Sequence, residues 1–363
     1  MLTNTGHKVS NYESMITSDQ KWRMPATYLK VIMQEASAAR LPAESLLAGT
    51  DLTQQSLLTS DEPVSFAKVV KVLSNAERLI GPGWHLLLAR RLTVPSHGAL
   101  GFAVVTAPNM RSSVEVLLRF IGTRAPFLWS SGAIEGDQFV LRFYETTDMG
   151  DQRGTLMELA ALSLQGLMER PLGRRISGAK LAFTYAAPPY LEAVEQAFNA
   201  EVSFSARQHS LRFPAAWLDE PCALYDEGMH RYLVNRCEEE LLASAGTLPA
   251  EIAVRQALLA RPGAVPGLAE IAASQHVSPR TLIRRLKQGN TSYQSILDDV
   301  RKTVSRDFLL NSAMTVARIS WRLGYQDPSN FSRAFRNWYG LSPQQFRKQA
   351  TRFSRTDRMP TGQ

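Results

Sequence analysis

At 363 residues, with 44% hydrophobic and 20% charged side chains, the chain has the composition of a globular protein and room for two or three domains. Residues 1–23 lack the apolar run of a secretory leader, and the most apolar stretch, 98–107, is too short to cross a bilayer. A cytoplasmic protein with no membrane contact is therefore expected. Cys222 and Cys237, the only cysteines, suit a reducing compartment and two free thiols, with a redox pair as the alternative.

Residues 1–23 are polar and read as a flexible N-terminus, although Trp22 is able to pack. Leu29, Ile32, Met33 and Ala36 give a helical stripe over 26–39, ended at Leu41-Pro42. Short helices are expected over 42–47 and 52–58. Phe66, Val69, Val70, Leu73 and Ala76 predict an amphipathic helix over 65–79, stopped by Gly81-Pro82-Gly83, and another helix covers 84–92. The character then changes. An apolar, glycine-containing stretch over 98–106 precedes a helix over 110–121, and 127–130 and 139–144 read as strands around the turn Ile134-Glu135-Gly136-Asp137. A long apolar helix over 156–168, a strand over 180–185 and a helix over 189–198 follow. Strands over 202–206 and 210–213 flank a turn at Arg207–His209. Helices first and strands interleaved with helices later indicate an α+β domain over 24–220.

A connecting helix over 225–243, with Glu238, Glu239 and Glu240 on its exposed side, leads to a flexible hinge at 244–248, so that 221–248 forms a connector. A helix over 251–260 and a Pro/Gly-rich link over 261–267 open the C-terminal part, 249–348, and 349–363 is a polar tail. Within it a text appears twice at a spacing of 48 residues. Leu268, Ala269, Ile271, His276 and Val277 fall opposite Val316, Ala317, Ile319, Gly324 and Tyr325. After a one-residue insertion, Pro279, Leu282, Arg284, Leu286 and Lys287 fall opposite Pro328, Phe331, Arg333, Phe335 and Arg336. Ser278 and Asp327 each stand before a proline, as a helix cap followed by proline at the first helical position. Two short helices at a tight turn, the second basic outward, read as a helix-turn-helix. A long helix over 293–310, with Ile296, Leu297, Val300, Val304, Phe308 and Leu309 apolar, would join the two copies. Charge agrees: residues 268–348 hold 13 Lys and Arg against 5 Asp and Glu, whereas residues 1–267 hold 25 against 27. A phosphate backbone suits only the C-terminal part as partner.

On SPRTLIRRLK, LDDVRKTVSRDFLL and ISWRLGYQDPSNFSRAFRNWYGLSPQQFR, residues 249–347 resemble the DNA-binding domain of the AraC/XylS family of bacterial transcription regulators. The match covers roughly a quarter of the chain. One departure is His276, which stands where the first turn usually has Gly. The sensor stretches GALGFAVVTAPNMRSSVEVLLRFI and YLEAVEQAFNAEVSFSARQHSLRFPAAWLD are similar to the arabinose-binding/dimerisation-like domain of one branch of that family. The resemblance implies an α+β sensor domain followed by an all-α domain with two helix-turn-helix motifs joined by a long helix. It implies duplex DNA, an unknown small-molecule effector and RNA polymerase as partners, a homodimer, and no cofactor.

By the family's pattern Arg280, Thr281, Ile283 and Arg284 of the first recognition helix, and Ser329, Asn330 and Arg333 of the second, point at the major groove. Arg grips guanine O6/N7 and Asn grips adenine N6/N7. Arg285, Lys287, Arg301, Lys302, Arg336 and Arg347 read as phosphate or surface groups, Lys287 and Arg336 being counted with the DNA site. Solvated charge is the alternative for each arginine, helix capping for Asn330, and Trp321 and Trp338 read as core. In the sensor, His97, Arg124, Trp129, Arg142 and Tyr144 are candidates for an effector pocket, against readings as surface arginines, core aromatics and a core histidine. An anionic effector would be clamped by Arg124 or Arg142. The six histidines show no metal-ligand spacing, no CxxC occurs, and P-loop, GxGxxG and GxSxG motifs are missing. No enzyme is expected. The leading expectation is a ligand-responsive transcription factor acting as an activator. Its rivals are a regulator whose N-terminal domain is a dimerisation or protein-interaction module without ligand, and a bifunctional enzyme marked by a catalytic cluster in the folded sensor.

Overall fold

Apolar spacing in the first third folds into helices much as its period requires. The computed structural model describes residues 23–247, 250–259, 265–275, 277–289, 291–311 and 314–348. The N-terminus expected to be flexible (apart from Arg23, which stands in a strand), most of the 261–267 link, His276 and the polar tail lie outside the described residues. The chain divides into two units, 1–244 and 245–363.

In the first unit a two-residue strand β1 (Arg23–Met24) pairs with β2 (Val64–Ser65), framing α1 (Ala26–Ala38), α2 (Ala43–Leu47) and α3 (Gln54–Thr59). Helix α4 (Phe66–Ile80) buries Phe66, Val69, Val72, Leu73 and Ala76, and α5 (Trp84–Ala89) follows. The apolar stretch after residue 98 is also a helix, α6 (Gly98–Val105). It buries Leu100, Gly101, Ala103, Val104 and Val105, and a segment covered on so many sides carries no readable period. Helix α7 (Met110–Phe120) leads into the hairpin β3 (Leu128–Glu135) and β4 (Gln138–Glu145). The turn is shorter than expected. Ile134 pairs with Phe139 and Glu135 with Gln138, so only Gly136-Asp137 connects the strands.

Helix α8 (Arg153–Leu172) packs against α5, α6 and α7, followed by β5 (Lys180–Ala182), α9 (Leu191–Ala197), β6 (Glu201–Ser203) and β7 (His209–Pro214). The five-stranded order is β3-β4-β7-β5-β6. The strands flanking Arg207–His209 are not partners: β6 pairs in parallel with β5, and β7 runs antiparallel between β4 and β5. The crossover through α9 is what a parallel pair requires, since a tight turn joins only antiparallel neighbours. Helix α10 (Glu227–Thr247) runs on through the residues expected to form a hinge, with Leu248 outside the described residues, and the boundary between the units falls within it.

The second unit is helical throughout its described elements: α11 (Ala250–Leu259), α12 (Leu268–Ser274), α13 (Pro279–Gln288), α14 (Tyr293–Asn311), α15 (Val316–Arg322) and α16 (Pro328–Tyr339). Its core has two parts. Val254, Leu258, Ile271, Leu282, Leu286, Ile296 and Val300 are buried around the first helix pair. Leu309, Ile319, Leu323, Phe331 and Phe335 form the cluster of the second, with Phe308, Tyr325, Trp338 and Phe346 packed against it.

Candidate functional site

The internal repeat is a repeat of backbone hydrogen bonds. In the first copy Gln275 N–H donates to Ile271 O at 3.2 Å and Val277 N–H to Ala272 O at 3.0 Å. Forty-eight residues on, Leu323 N–H donates to Ile319 O at 3.0 Å and Tyr325 N–H to Ser320 O at 3.1 Å. Both helices thus close with the same six-to-one bond of a Schellman end. Gly324 has φ +74°, and a Cβ there would meet the Val265 side chain at 2.6 Å, so both conformation and space call for glycine. The second helix of each pair starts alike. Ser278 Oγ accepts from Thr281 N–H at 3.1 Å, and Asp327 Oδ1 accepts from Ser329 N–H at 2.7 Å. Leu282 and Leu286, like Phe331 and Phe335, are buried.

That register leaves the expected contact residues outward. Arg280, Ile283, Arg284 and Lys287 on α13, and Ser329, Asn330, Arg333 and Arg336 on α16, are exposed. Ile283 is 42% exposed, an apolar side chain left in water on a basic helix face. Thr281 is half-buried, and its hydroxyl is engaged with Ser278 Oγ at 2.9 Å. The cap of α16 belongs to Asp327, so Asn330 is not needed for it.

Three side chains depart from expectation. Arg301, grouped with phosphate or surface residues, reaches from α14 to the end of α15. Its Nε donates to Leu323 O at 2.9 Å and its Nη2 to Gly324 O at 3.2 Å, while the guanidinium lies 4.2 Å over the Tyr325 ring. A cation on the last carbonyls of a helix satisfies orphan acceptors and the helix dipole together. Arg347 turns inward as well, donating from Nε to Leu309 O at 3.1 Å. Trp321 is 60% exposed instead of core. It lies two residues, about 200° of helical turn, from the buried Ile319, and so faces away from the cluster. Trp338 packs against the cluster as expected.

In the first unit a cavity of about 110 Å³ lies between the helices and the sheet, lined among others by Ile32, Leu73, Leu117, Leu156 and Phe183. Of the sequence candidates, His97 and Arg124 line it; Trp129, Arg142 and Tyr144 do not. Strand alternation decides this: Leu128 and Phe143 face the cavity, and their neighbours belong to the other side of the sheet. Trp129 and Tyr144 pair across β3 and β4 with centroids 4.5 Å apart. Arg142 is buried and paired with Glu135 at 2.6 Å. Tyr28, which nothing in the sequence separates from the apolar stripe of α1, also lines the cavity. Its hydroxyl is 3.2 Å from His97 Nδ1, and burial pushes its pKa up to about 12. Burial, with the Arg124 charge adding to it, holds His97 down at about 4, so this imidazole is neutral. Arg124 Nη2 donates to Glu240 on α10 at 2.5 Å, and Glu238 pairs with Arg119 at 2.8 Å. Two of the three glutamates assigned to the exposed side of the connecting helix therefore tie it to the sensor.

A second polar cluster sits between α5 and α8. His85 Nε2 is 2.8 Å from Glu158 Oε2, and Tyr185 donates to Glu158 Oε1 at 3.0 Å. His85 and Glu158 are sealed from solvent, at 1% and 0% exposure, which gives a substrate no access to the pair. Cys222 and Cys237 are free and buried. Among the described residues no three His, Cys, Asp or Glu side chains are grouped to hold a metal, and no helix is long and apolar enough to cross a membrane.

A basic helical unit carrying two equivalent helix-turn-helix pairs behind an α+β domain defines a DNA-binding transcription regulator. The family model for the arabinose-binding domain of AraC transcription regulator, N-terminal, matches residues 41–222, and a helix-turn-helix domain model matches 271–349. The chain belongs to the AraC family of transcription regulators. An ornithine utilization regulator of Pseudomonas aeruginosa is 27% identical over 330 residues, spanning 90% of this chain and 96% of that protein. The HTH-type transcriptional regulator VirS of Mycobacterium tuberculosis is 24% identical over 319 residues, spanning 87% and 93%. Transcriptional regulator CdpR from Pseudomonas aeruginosa, a solved structure, is similar at 17% identity with a TM-score of 0.45, covering 89% of this chain and 98% of that one.

Proposed function

We propose that this protein is a cytoplasmic, ligand-responsive activator of transcription without catalytic activity. In this reading a sensor domain over 24–220 and a connector over 221–248 control a DNA-binding domain over 249–348. Helices α13 and α16 read successive major grooves about 34 Å apart. Arg284 and Arg333 grip guanine, Asn330 grips adenine, and Arg280, Thr281, Ile283 and Ser329 complete the base contacts, Ile283 against a thymine methyl. Lys287 and Arg336 hold phosphates. The observation that carries the reading is the same capped, Schellman-closed helix pair occurring twice, with Arg284 and Arg333 exposed at matching positions.

The sensor cavity takes a small-molecule effector, and occupancy shifts the chain between two arrangements that engage RNA polymerase differently. A homodimer is supported by Leu224, Tyr225, Met229 and Tyr232, large side chains exposed together at and just before the start of α10. Footprinting on the gene's own and neighbouring promoters tests the DNA reading: two protected major-groove segments one turn apart are expected, and no protection at moderate salt refutes it. A thermal-shift screen against metabolite fractions tests the sensor reading, which falls if no fraction stabilises the protein.

A further inference from the structure

We propose that the sensor cavity binds a small apolar carboxylate, whose anionic group takes the place of Glu240 on Arg124 and so frees the connecting helix α10. The inference rests on the sensor reading above and names its ligand class and its outlet.

The chemistry of the walls selects the ligand. Among the described residues lining the cavity, Arg124 is the only permanently charged side chain, and no carboxylate is present. His97 is neutral at physiological pH. His209 also lines the cavity, but its Nε2 is already engaged with Glu145 Oε1 at 3.0 Å and Thr184 Oγ1 at 2.9 Å; the remaining lining is overwhelmingly aliphatic and aromatic. A sugar or a diamine would leave hydroxyl or ammonium groups unpaired against such walls, which disfavours both. An apolar skeleton with one anion matches both wall and cation. Among the described residues lining the cavity, two buried polar atoms have no hydrogen-bond partner, Arg124 Nε and His97 Nε2, although His97 is only 4% exposed. Such orphan atoms are rare in folded proteins and mark a place for a missing polar group. The cavity volume of about 110 Å³ is below the roughly 150 Å³ of a void that accepts benzene, so it suits a short, flexible acyl chain better than a ring.

The sequence has also made room for the guanidinium. Gly98 opens α6 with φ +58°, and any Cβ there would collide with the Arg124 head group. Arg124 is thereby held where it serves two partners, the cavity and Glu240. Glu240 is the more exposed member of the pair, at 34% against 14%, so water receives its carboxylate when a ligand displaces it. The first part of α10 is held by the buried Leu233 and Cys237 and by a contact of His230 Nδ1 with Ala103 O at 2.9 Å, whereas beyond Cys237 the Glu240 contact is accompanied by an exposed Arg119–Glu238 pair. Losing the Glu240 contact therefore loosens the half of α10 that runs on across the unit boundary.

The test uses the full chain and five probes: hexanoate and butanoate, their alcohols hexanol and butanol, and hexylamine. Isothermal titration is expected to give about tenfold tighter binding for each acid than for its alcohol, the ratio of one charge-assisted hydrogen bond. Arg124→Met should erase that preference while alcohol binding persists. Glu240→Gln, which removes only the competitor, should tighten acid binding several-fold and leave the alcohols unchanged. Hydrogen exchange over 236–247 should rise in the wild type with hexanoate, and in Glu240→Gln without it. Equal binding of acids and alcohols, preference for hexylamine, no binding by any probe, or acid binding indifferent to Glu240→Gln would overturn the proposal. Stabilisation by metabolite fractions alongside any of those results would leave the sensor reading standing and remove only this ligand class.

Discussion

Arg301, read from the sequence as a phosphate or surface group, has a structural task instead, and one substitution separates the two. If it is a phosphate contact, Arg301→Ala weakens DNA binding and lowers the slope of log affinity against log salt by about 0.9, with stability untouched. The structure gives it a different task, holding the carbonyls of Leu323 and Gly324 and covering the Tyr325 ring. The half-buried bond to Leu323 O contributes about 1.5 kcal/mol as a charged donor, the exposed one to Gly324 O about 0.5. The cation–π contact adds roughly 0.5–1 kcal/mol. The loss should total about 2–3 kcal/mol, concentrated in the second helix pair. In urea this lowers the midpoint of the second unit by about 1–3 M for a slope of roughly 1–2 kcal/mol per molar. Fluorescence of Trp321 and Trp338 reports that transition. Measured below the transition, the variant should bind operator DNA with an unchanged salt slope. An unchanged urea midpoint together with a slope reduced by one unit would refute the reasoning and return Arg301 to the DNA backbone.

Arg333→Ala should lower affinity and relax one base preference by roughly 1–3 kcal/mol; equal weakening on specific and random DNA would make it a phosphate contact. Lys287→Ala should weaken all sequences alike and reduce the salt slope by about one, and an unchanged slope removes it from the interface. Glu158→Ala leaves His85 and Tyr185 facing an empty partner in a sealed site, so a cost of about 3–5 kcal/mol and a fall in melting temperature of about 10 °C are expected; a shift under 2 °C, about 1 kcal/mol or less, would show that the cluster is not holding α5 to α8. His97 sits at about 4 in the fold against 6.5 in an unfolded chain. Between those values the unfolded chain carries a proton the fold does not, so stability falls as pH drops through that window, by up to about 1.4 kcal/mol per unit. His97→Asn should remove that part of the slope, and parallel wild-type and variant curves between pH 6.5 and 4 would contradict the assignment.

Local, repeated signals were legible in the chain by itself. Caps before prolines, the Gly324 turn and apolar residues at helical spacing act between residues three or four apart, so their consequences follow from order alone. The duplicated helix pair, its inward Leu and Phe positions and its outward Arg284 and Arg333 were all available in this way. So was the division into an α+β part and a basic helical part, because composition and charge change along the chain.

What the chain order did not contain were contacts between residues far apart in it. Arg301 and Arg347 carry the same charge as Arg284, and only the packing of α14 against the second helix pair turns them inward. Trp129, Arg142 and Tyr144 shared the right chemistry with His97 and Arg124, but strand alternation put them across the sheet from the cavity. Tyr28 and Glu240 lie 96 and 116 residues from Arg124 in sequence and meet its surroundings only once the helices close over the sheet. Helical period and capping are properties of neighbours, fixed by the backbone's own geometry. A cavity, and the side chains that converge on it, exist only after distant elements have packed, and this tertiary step decided which of the sensor's charged side chains, Arg124, lines the cavity.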